Sequence, residues 1–146
     1  MANFSTYAFE DISCVISHPS YGQYSVNGQG VGSITTAKSN EWSTHNLAAD
    51  GSVMTSKVRG DNGTITMQTQ QTSSLHNYMQ GLFNYLKTAD SSEWARISIT
   101  IRAPKMKKSK VCTNVSIQKE PDEEMAAQGG MLSWVLLAGD IQQMTI

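Results

Sequence analysis

Alternation of apolar and polar residues in short segments constrains the fold of this chain more than any other sequence feature. Within residues 97–102 three isoleucines alternate with polar side chains, and residues 64–70 and 111–118 follow the same pattern. Successive side chains of a β-strand point to opposite faces, so a period of two predicts strands with one buried face. Residues 12–17 and 31–38 are further strand candidates.

Turn residues predict two hairpins. Residues 52–59 lead into Gly-Asp-Asn-Gly at 60–63 and then into the strand at 64–70. An Asn-Gly pair between alternating segments indicates a tight hairpin turn, because both central residues need a positive φ. The second predicted hairpin joins the strands at 97–102 and 111–118 through Pro104 and a turn rich in lysine.

One amphipathic helix is predicted at residues 74–87. Apolar side chains recur there at helical spacing, at Leu75, Tyr78, Met79, Leu82, Phe83 and Leu86. The preceding Thr72-Ser73-Ser74 offers an N-cap, and Lys87 in the last turn complements the helix dipole. We expect Leu75, Met79, Leu82 and Phe83 to lie against the sheets.

Residues 131–138 are apolar on both faces of the strand that they predict. Such a strand is either central in its sheet or covered by a neighbouring subunit. Together these segments predict a mainly β fold, an antiparallel β-sandwich or barrel of about seven strands with one packed α-helix. The chain has 146 residues and no linker or repeat, so we expect a single domain over residues 1–146.

Composition excludes several classes of protein. The formal net charge is −1, which excludes a strongly basic, non-specific DNA binder. The 39% of hydrophobic residues exclude a disordered tail. Ser, Thr, Asn and Gln make up 49 of the 146 residues, so the surface is expected to be hydroxyl and amide rather than charged. Two cysteines, without a visible signal peptide or membrane span, predict reduced thiols in a cytoplasm.

The sequence offers no catalytic or cofactor-binding constellation. It lacks G-x-S-x-G, H-E-x-x-H and C-x-x-C motifs. Cys14 and His18 are two potential metal ligands, but a closed zinc site needs four. We therefore expect a buried thiol and a surface histidine, with no metal, no cofactor and no enzymatic activity.

Two loops carry opposite charge. Lys105, Lys107, Lys108 and Lys110 crowd the turn of the second hairpin, and acidic residues occupy Glu120 to Glu124. The lysines could bind phosphates, which leaves open a monomeric nucleic-acid-binding β domain that uses this turn. Solvated turns and a head-to-tail contact between copies are the other interpretations.

Several segments resemble one family of phage structural proteins. They are Ala-Asp-Gly-Ser-Val-Met at 49–54, Gly-Asp-Asn-Gly-Thr-Ile-Thr at 60–66, Gln-Gln-Thr-Ser-Ser-Leu-His at 70–76, Cys-Thr-Asn-Val-Ser-Ile-Gln-Lys at 112–119 and Ser-Trp-Val-Leu at 133–136. In this order they resemble tail tube subunits of contractile-tailed bacteriophages. The resemblance implies a β-sandwich or barrel with one helix, and homohexameric rings stacked into the inner tube through which phage DNA passes. A tailocin or another contractile injection system would use the same subunit fold.

The resemblance also implies partners and a location. The partners would be sheath, baseplate and tail-terminator proteins, with transient passage of DNA, no specific nucleic-acid binding and no membrane. The protein would lie in the virion tail after assembly in the host bacterial cytoplasm.

Two sets of residues are candidates for assembly. Residues 39–49 lack strand alternation and predict a long loop, which in related tube subunits reaches the next ring. We expect Glu41, Trp42, His45 and Leu47 to contact a neighbouring copy, although Trp42 folded back on its own core is an alternative. The polar face of residues 64–70, formed by Thr64, Thr66, Gln68 and Gln70, is expected to line the lumen rather than the tube exterior.

Overall fold

The computed structural model describes residues 6–26 and 30–145. The strands are β1 (Ser13–His18), β2 (Gly22–Val26), β3 (Val31–Lys38), β4 (Ser43–Leu47), β5 (Val53–Lys57), β6 (Gly63–Gln70), β7 (Ile97–Ala103), β8 (Lys108–Lys119) and β9 (Met131–Thr145). One helix, α1, covers Ser74–Thr88. Short 3-10 turns lie at Phe9–Asp11, Ser91–Glu93 and Pro104–Met106.

Seven of the strands form one antiparallel sheet in the order β2-β1-β7-β8-β9-β6-β3. The sheet curves into a half-barrel, which confirms the predicted mainly β, antiparallel fold with one helix. The hairpin of β7 and β8 is confirmed by its register. β9 lies between β8 and β6, so its prediction as a central strand is also confirmed.

Helix α1 packs on the buried face of the sheet, within one residue of its predicted bounds. Its N-cap is Ser73, whose hydroxyl accepts a hydrogen bond from the backbone N–H of Leu75 at 3.2 Å. Leu75, Met79 and Leu82 are fully buried, and Phe83 is partly buried against the core. The apolar side chains of the helix thus belong to the same core as those of the sheet.

Trp134 of β9 is the largest fully buried side chain of the described residues. Its indole N–H donates a hydrogen bond to Nδ1 of His76 at 3.1 Å, and the ring of Phe83 lies 6.4 Å away, centroid to centroid. Since Nδ1 of His76 accepts this bond, the neutral ring carries its proton on Nε2. The contact joins the first turn of α1 to the middle of the sheet.

The predicted hairpin of residues 52–59 and 64–70 is wrong in its pairing. β5 pairs with β4, and β6 lies between β3 and β9. The Asn-Gly signal misleads because Gly63 is not a turn residue: it is buried within β6, where a Cβ would lie 2.1 Å from the carbonyl oxygen of Ala37. Glycine is needed there for the close approach of β3.

The prediction that residues 39–49 form a loop without strands is also wrong, because β4 lies within this segment. Every residue of β4 is exposed, so neither face of the strand selects apolar side chains. Alternation is a sign of one buried face, and a strand exposed on both faces does not show it. β2 was not predicted, and four of its five residues fall outside the core in the same way.

The two cysteines and His18 lie inside the protein. Cys14 and Cys112 are free and buried, as expected. His18 is 2% exposed, which corrects the expected surface histidine. Its Nε2 donates to the carbonyl oxygen of Glu93 at 2.9 Å, and its Nδ1 accepts from the backbone N–H of Ser20 at 3.1 Å. The alternation of β1 turns this side chain inward, and these two bonds satisfy its nitrogens.

Burial makes the protein sensitive to alkali. Burial, and then the proximity of Cys112, raise the pKa of Cys14 from 9.0 to about 12; burial likewise raises the pKa of Tyr78 from 10.0 to about 12. In the unfolded chain both groups ionise at lower pH. The contribution of these two groups to the free energy of unfolding should therefore be constant below about pH 9 and fall between about pH 9 and 12.

Urea denaturation at a series of pH values measures this effect. A Cys14→Ala variant, although less stable at neutral pH, should lose less stability across the alkaline range than the unaltered protein. If the free energy of unfolding falls equally with pH in both proteins, Cys14 does not contribute to the alkaline loss of stability.

Candidate assembly surfaces

A hairpin of β4 and β5 projects from the main sheet as a separate two-stranded ribbon. Leu47 is 72% exposed, and Val53 and Met54 are exposed by more than half. A two-stranded ribbon is at best marginally stable in water, and neighbouring exposed apolar side chains indicate a contact surface. The hairpin is therefore the strongest candidate for contact with another protein chain.

The structure brings the predicted contact residues together on this hairpin. His45 and Leu47 share one face of β4 and are paired with Thr55 and Val53 of β5. Glu41 and Trp42 lie just before β4, at the base of the ribbon, and both are exposed. Trp42 is not folded into the core: it is 40% exposed, and Nζ of Lys57 lies 5.9 Å from its ring centroid.

Asp61 fixes the base of the hairpin to the main sheet. Its carboxylate accepts hydrogen bonds from Nζ of Lys38 at 3.1 Å and from Nε2 of Gln142 at 3.2 Å. These bonds, that of Lys38 foremost, hold the pKa of Asp61 below its usual range. Its carbonyl oxygen accepts from the N–H of Ile141 at 2.8 Å. Asp61 thus gives the projecting hairpin a defined direction.

The amide of Asn40 adds a second anchor at the hairpin base. Its Nδ2 donates to the carbonyl oxygens of Val58 at 3.0 Å and Gly60 at 3.2 Å. Neither Asn40 nor Asp61 stands out in the sequence, because no local spacing marks them and the partners of Asp61 lie up to 81 positions away.

The face of the sheet opposite the buried one is mostly uncharged; the charged residues that the register places on it are Arg102, Lys119 and Asp140. Thr64, Thr66, Gln68 and Gln70 lie on this face of β6, while Ile65, Met67 and Thr69 on its other side are buried. The register places further small or uncharged side chains beside them. We call the following set the outer face: Val15, Ser17, Ser33, Thr35, Thr64, Thr66, Gln68, Gln70, Ser98, Thr100, Ser116, Ser133, Val135 and Leu137.

The seven-stranded sheet has two free edges, β2 on one side and β3 on the other. Within the described residues, the outward backbone groups of these strands have no strand partner. Free edges are templates for pairing with another chain. Because the two edges belong to different strands, a contact between them would be heterologous, and such contacts generate rings when the rotation closes.

Metal binding and membrane spanning are two further properties that the described residues could indicate. Over residues 6–26 and 30–145, no group of three or more His, Cys, Asp or Glu residues is placed to hold a metal ion. Nor is any described helix long and apolar enough to cross a membrane.

The sequence matches the family model of the bacteriophage PhiTE tail tube protein over residues 4–145. The chain belongs to this family. Tail tube proteins are structural components, and the sequence resemblance noted above is confirmed. No curated protein matches the sequence significantly.

Solved structures from contractile injection systems share the fold of this tail tube protein at low sequence identity. A chain of the anti-feeding prophage cap is 10% identical, with a TM-score of 0.61 over 100% of this chain and 95% of that one. A chain of the anti-feeding prophage baseplate is 7% identical, with a TM-score of 0.62 over 97% and 98%. A chain of the PVC sheath-tube complex in the extended state is 10% identical, with a TM-score of 0.53 over 91% and 88%.

Proposed function

We propose that this tail tube protein forms six-membered rings that stack into the inner tube through which phage DNA is ejected. The observation that carries the proposal is the open sheet, which has a free edge on each side and a mostly uncharged outer face. Free edges are templates for pairing with another chain, so copies of this sheet can pair edge to edge. Membership of the family indicates a structural protein, and the two free sheet edges offer a way to close a ring of subunits.

Lateral pairing closes the ring in this proposal. β3 of one subunit lies beside β2 of the next, so the sheets of all subunits join into one continuous barrel. Pairing of this kind satisfies the outward backbone groups of both edges. It also places the outer face on one side of the barrel wall in every subunit.

The outer face lines the lumen in the proposed tube. DNA must slide past this wall, and a basic wall would bind phosphates with release of counterions and hold the DNA. The hydroxyl and amide side chains of Thr64, Thr66, Gln68 and Gln70 bring no such charge. A sheath-covered exterior would more readily present charged groups.

The projecting hairpin reaches the adjacent ring. Leu47 and His45 present the contact face, with Glu41 and the exposed Trp42 at the base of the hairpin. Trp42 contributes an exposed aromatic surface to stacking. Unchanged tube length and stability in a Trp42→Ala variant would contradict its part in stacking.

Sheath, baseplate and tail-terminator proteins are the proposed partners of the tube. The similar structures come from a cap, a baseplate and a sheath-tube complex, which supports these classes of partner. We place the protein in the virion tail, after assembly in the cytoplasm of the host bacterium. Because the similar structures belong to injection systems, a tailocin or other injection tube is the second candidate.

A monomeric nucleic-acid-binding domain is a weaker alternative. Nζ of Lys105 is 3.2 Å from a carboxylate oxygen of Asp11, and Lys110 donates to the hydroxyl of Thr36 at 2.7 Å. Two of the four lysines of this turn thus already have a polar partner within the subunit. Sedimentation and DNA titration over a range of salt concentrations separate the two functions: the tube predicts large assemblies and weak DNA affinity, and the alternative predicts a monomer with salt-sensitive affinity.

Cysteine labelling tests the orientation of the outer face. Thr66→Cys and Gln68→Cys variants should react slowly with a maleimide too large to enter assembled tubes, and quickly once the tubes are dissociated. The natural cysteines are buried and give a low background. Asn84→Cys, at an exposed position of α1 on the other side of the sheet, reports the reactivity of a site outside the lumen. Rapid labelling of residues 66 and 68 in intact tubes would place this face outside.

A further inference from the structure

Opposite charges lie at opposite ends of β8. The lysine turn lies just before the strand and at its start, and consists of Lys105, Lys107, Lys108 and Lys110. The acidic segment follows the strand directly, and consists of Glu120, Asp122, Glu123 and Glu124, followed by Met125. A strand of 12 residues spans roughly 36 Å. The two charged groups therefore cannot meet within one subunit. They can meet when copies are stacked head to tail.

The acidic segment is held in a defined position on the subunit. The amide of Gln71 donates to the carbonyl oxygen of Glu124 at 2.8 Å and accepts from the backbone N–H of Gly130 at 3.2 Å. Nζ of Lys87 lies 3.6 Å from the carboxylate of Glu120. The side chain of Asp122 is 94% exposed, with Nζ of Lys119 at 3.7 Å from its carboxylate, and a carboxylate oxygen of Glu123 lies 3.9 Å from Nε2 of His76. Met125 is 84% exposed. The segment thus presents acidic groups and one apolar side chain to solvent.

The opposite end offers a complementary surface. Within the described residues, Lys107 and Lys108 have no carboxylate partner, whereas Lys105 is paired with Asp11. Beside them lies an open cavity of about 530 Å³. Its apolar lining includes Tyr7, Phe9, Ile12, Ile34, Ile101 and Met106. Lys108 and Lys110 also line it, so the cavity is apolar inside and basic at its margin.

We propose that the acidic segment of one copy docks on the lysine turn of the next copy, with Met125 entering this cavity. The inference rests on the proposed stacked tube, because it requires subunits aligned end to end. A nucleic acid would explain the lysines but neither the acidic segment nor the apolar lining. Exposed ion pairs are individually weak and are screened by salt. Repetition around a ring makes stacking strong at low salt and weaker as salt rises.

Cross-linking tests this contact directly. A variant with Met125→Cys and Met106→Cys carries one new thiol at each end of the subunit, too far apart for a short bis-maleimide to join within one chain. In assembled protein, we expect a covalent ladder that extends beyond six copies. Each single variant should give no ladder. Absence of cross-links in intact tubes, or a ladder that stops at six, would overturn the proposal.

Charge reversal separates this proposal from the proposed function. Asp122→Lys with Glu124→Lys, or Lys107→Asp with Lys108→Glu, should each reduce the mean length of assemblies at least tenfold. The two reversals combined in one chain should restore most of that length. Asp90→Lys, an exposed acid outside both segments, serves as control. Tubes that are indifferent to both reversals and to salt would overturn this contact alone, whereas failure of the unaltered protein to form any rings would overturn the proposed function.

Discussion

A variant in which Leu47 and Val53 are both replaced by aspartate is expected to keep its fold and lose tube formation. The two residues are paired across β4 and β5, and their exposure means that the subunit loses little packing. Burial of a leucine or valine side chain contributes about 1.5–3 kcal/mol, and the contact recurs in every subunit of a ring. Electron microscopy and sedimentation measure the assemblies, and circular dichroism measures the fold.

The matched control adds the same charge to the other face of the ribbon. Thr44 and Ser56 are also paired across the two strands, so Thr44→Asp with Ser56→Asp introduces two aspartates without removing an apolar contact. We expect this control to shorten tubes much less. Tubes of normal length in the Leu47 and Val53 variant would refute the stacking role of the hairpin.

Replacement of Trp134 by alanine is expected to reduce the free energy of unfolding by about 3–5 kcal/mol. The side chain is fully buried, packs near Phe83 and donates to His76. Its removal leaves a large cavity and takes the hydrogen-bond donor from a buried nitrogen. Urea denaturation of the unassembled subunit measures the change.

A Trp134→Phe variant separates the two contributions. Phenylalanine fills much of the volume but cannot donate to Nδ1 of His76, so the expected loss is smaller, about 1–3 kcal/mol. If alanine costs less than about 1 kcal/mol, this tryptophan does not hold helix and sheet together as described.

Elements with one buried face were predictable from the sequence because burial imposes the period. α1 was placed within one residue, since its apolar side chains and its N-cap are local signals. Strand pairing was not local. Gly63 is needed because a Cβ there would clash with the carbonyl oxygen of Ala37 in β3. In another position the same Asn-Gly dipeptide would indicate a turn. β4 gave no pattern because neither of its faces is buried.

The candidate site was predictable only in part for the same reason. Trp42 and Leu47 were noticeable because apolar residues stood among polar ones. Asp61 does not stand out among the polar residues around it. Its role arises from Lys38, Gln142 and Ile141, which the fold brings together. The polar face of β6 was predicted from alternation alone, and its continuation across neighbouring strands depends on the register.

Electron microscopy of the purified protein, across a range of concentrations, shows whether the subunits form a tube. We predict six-membered rings that stack into hollow tubes, with the β4–β5 hairpin of each subunit against the next ring and the outer face toward the channel. A protein that stays monomeric at every concentration and binds DNA with salt-sensitive affinity would contradict this prediction.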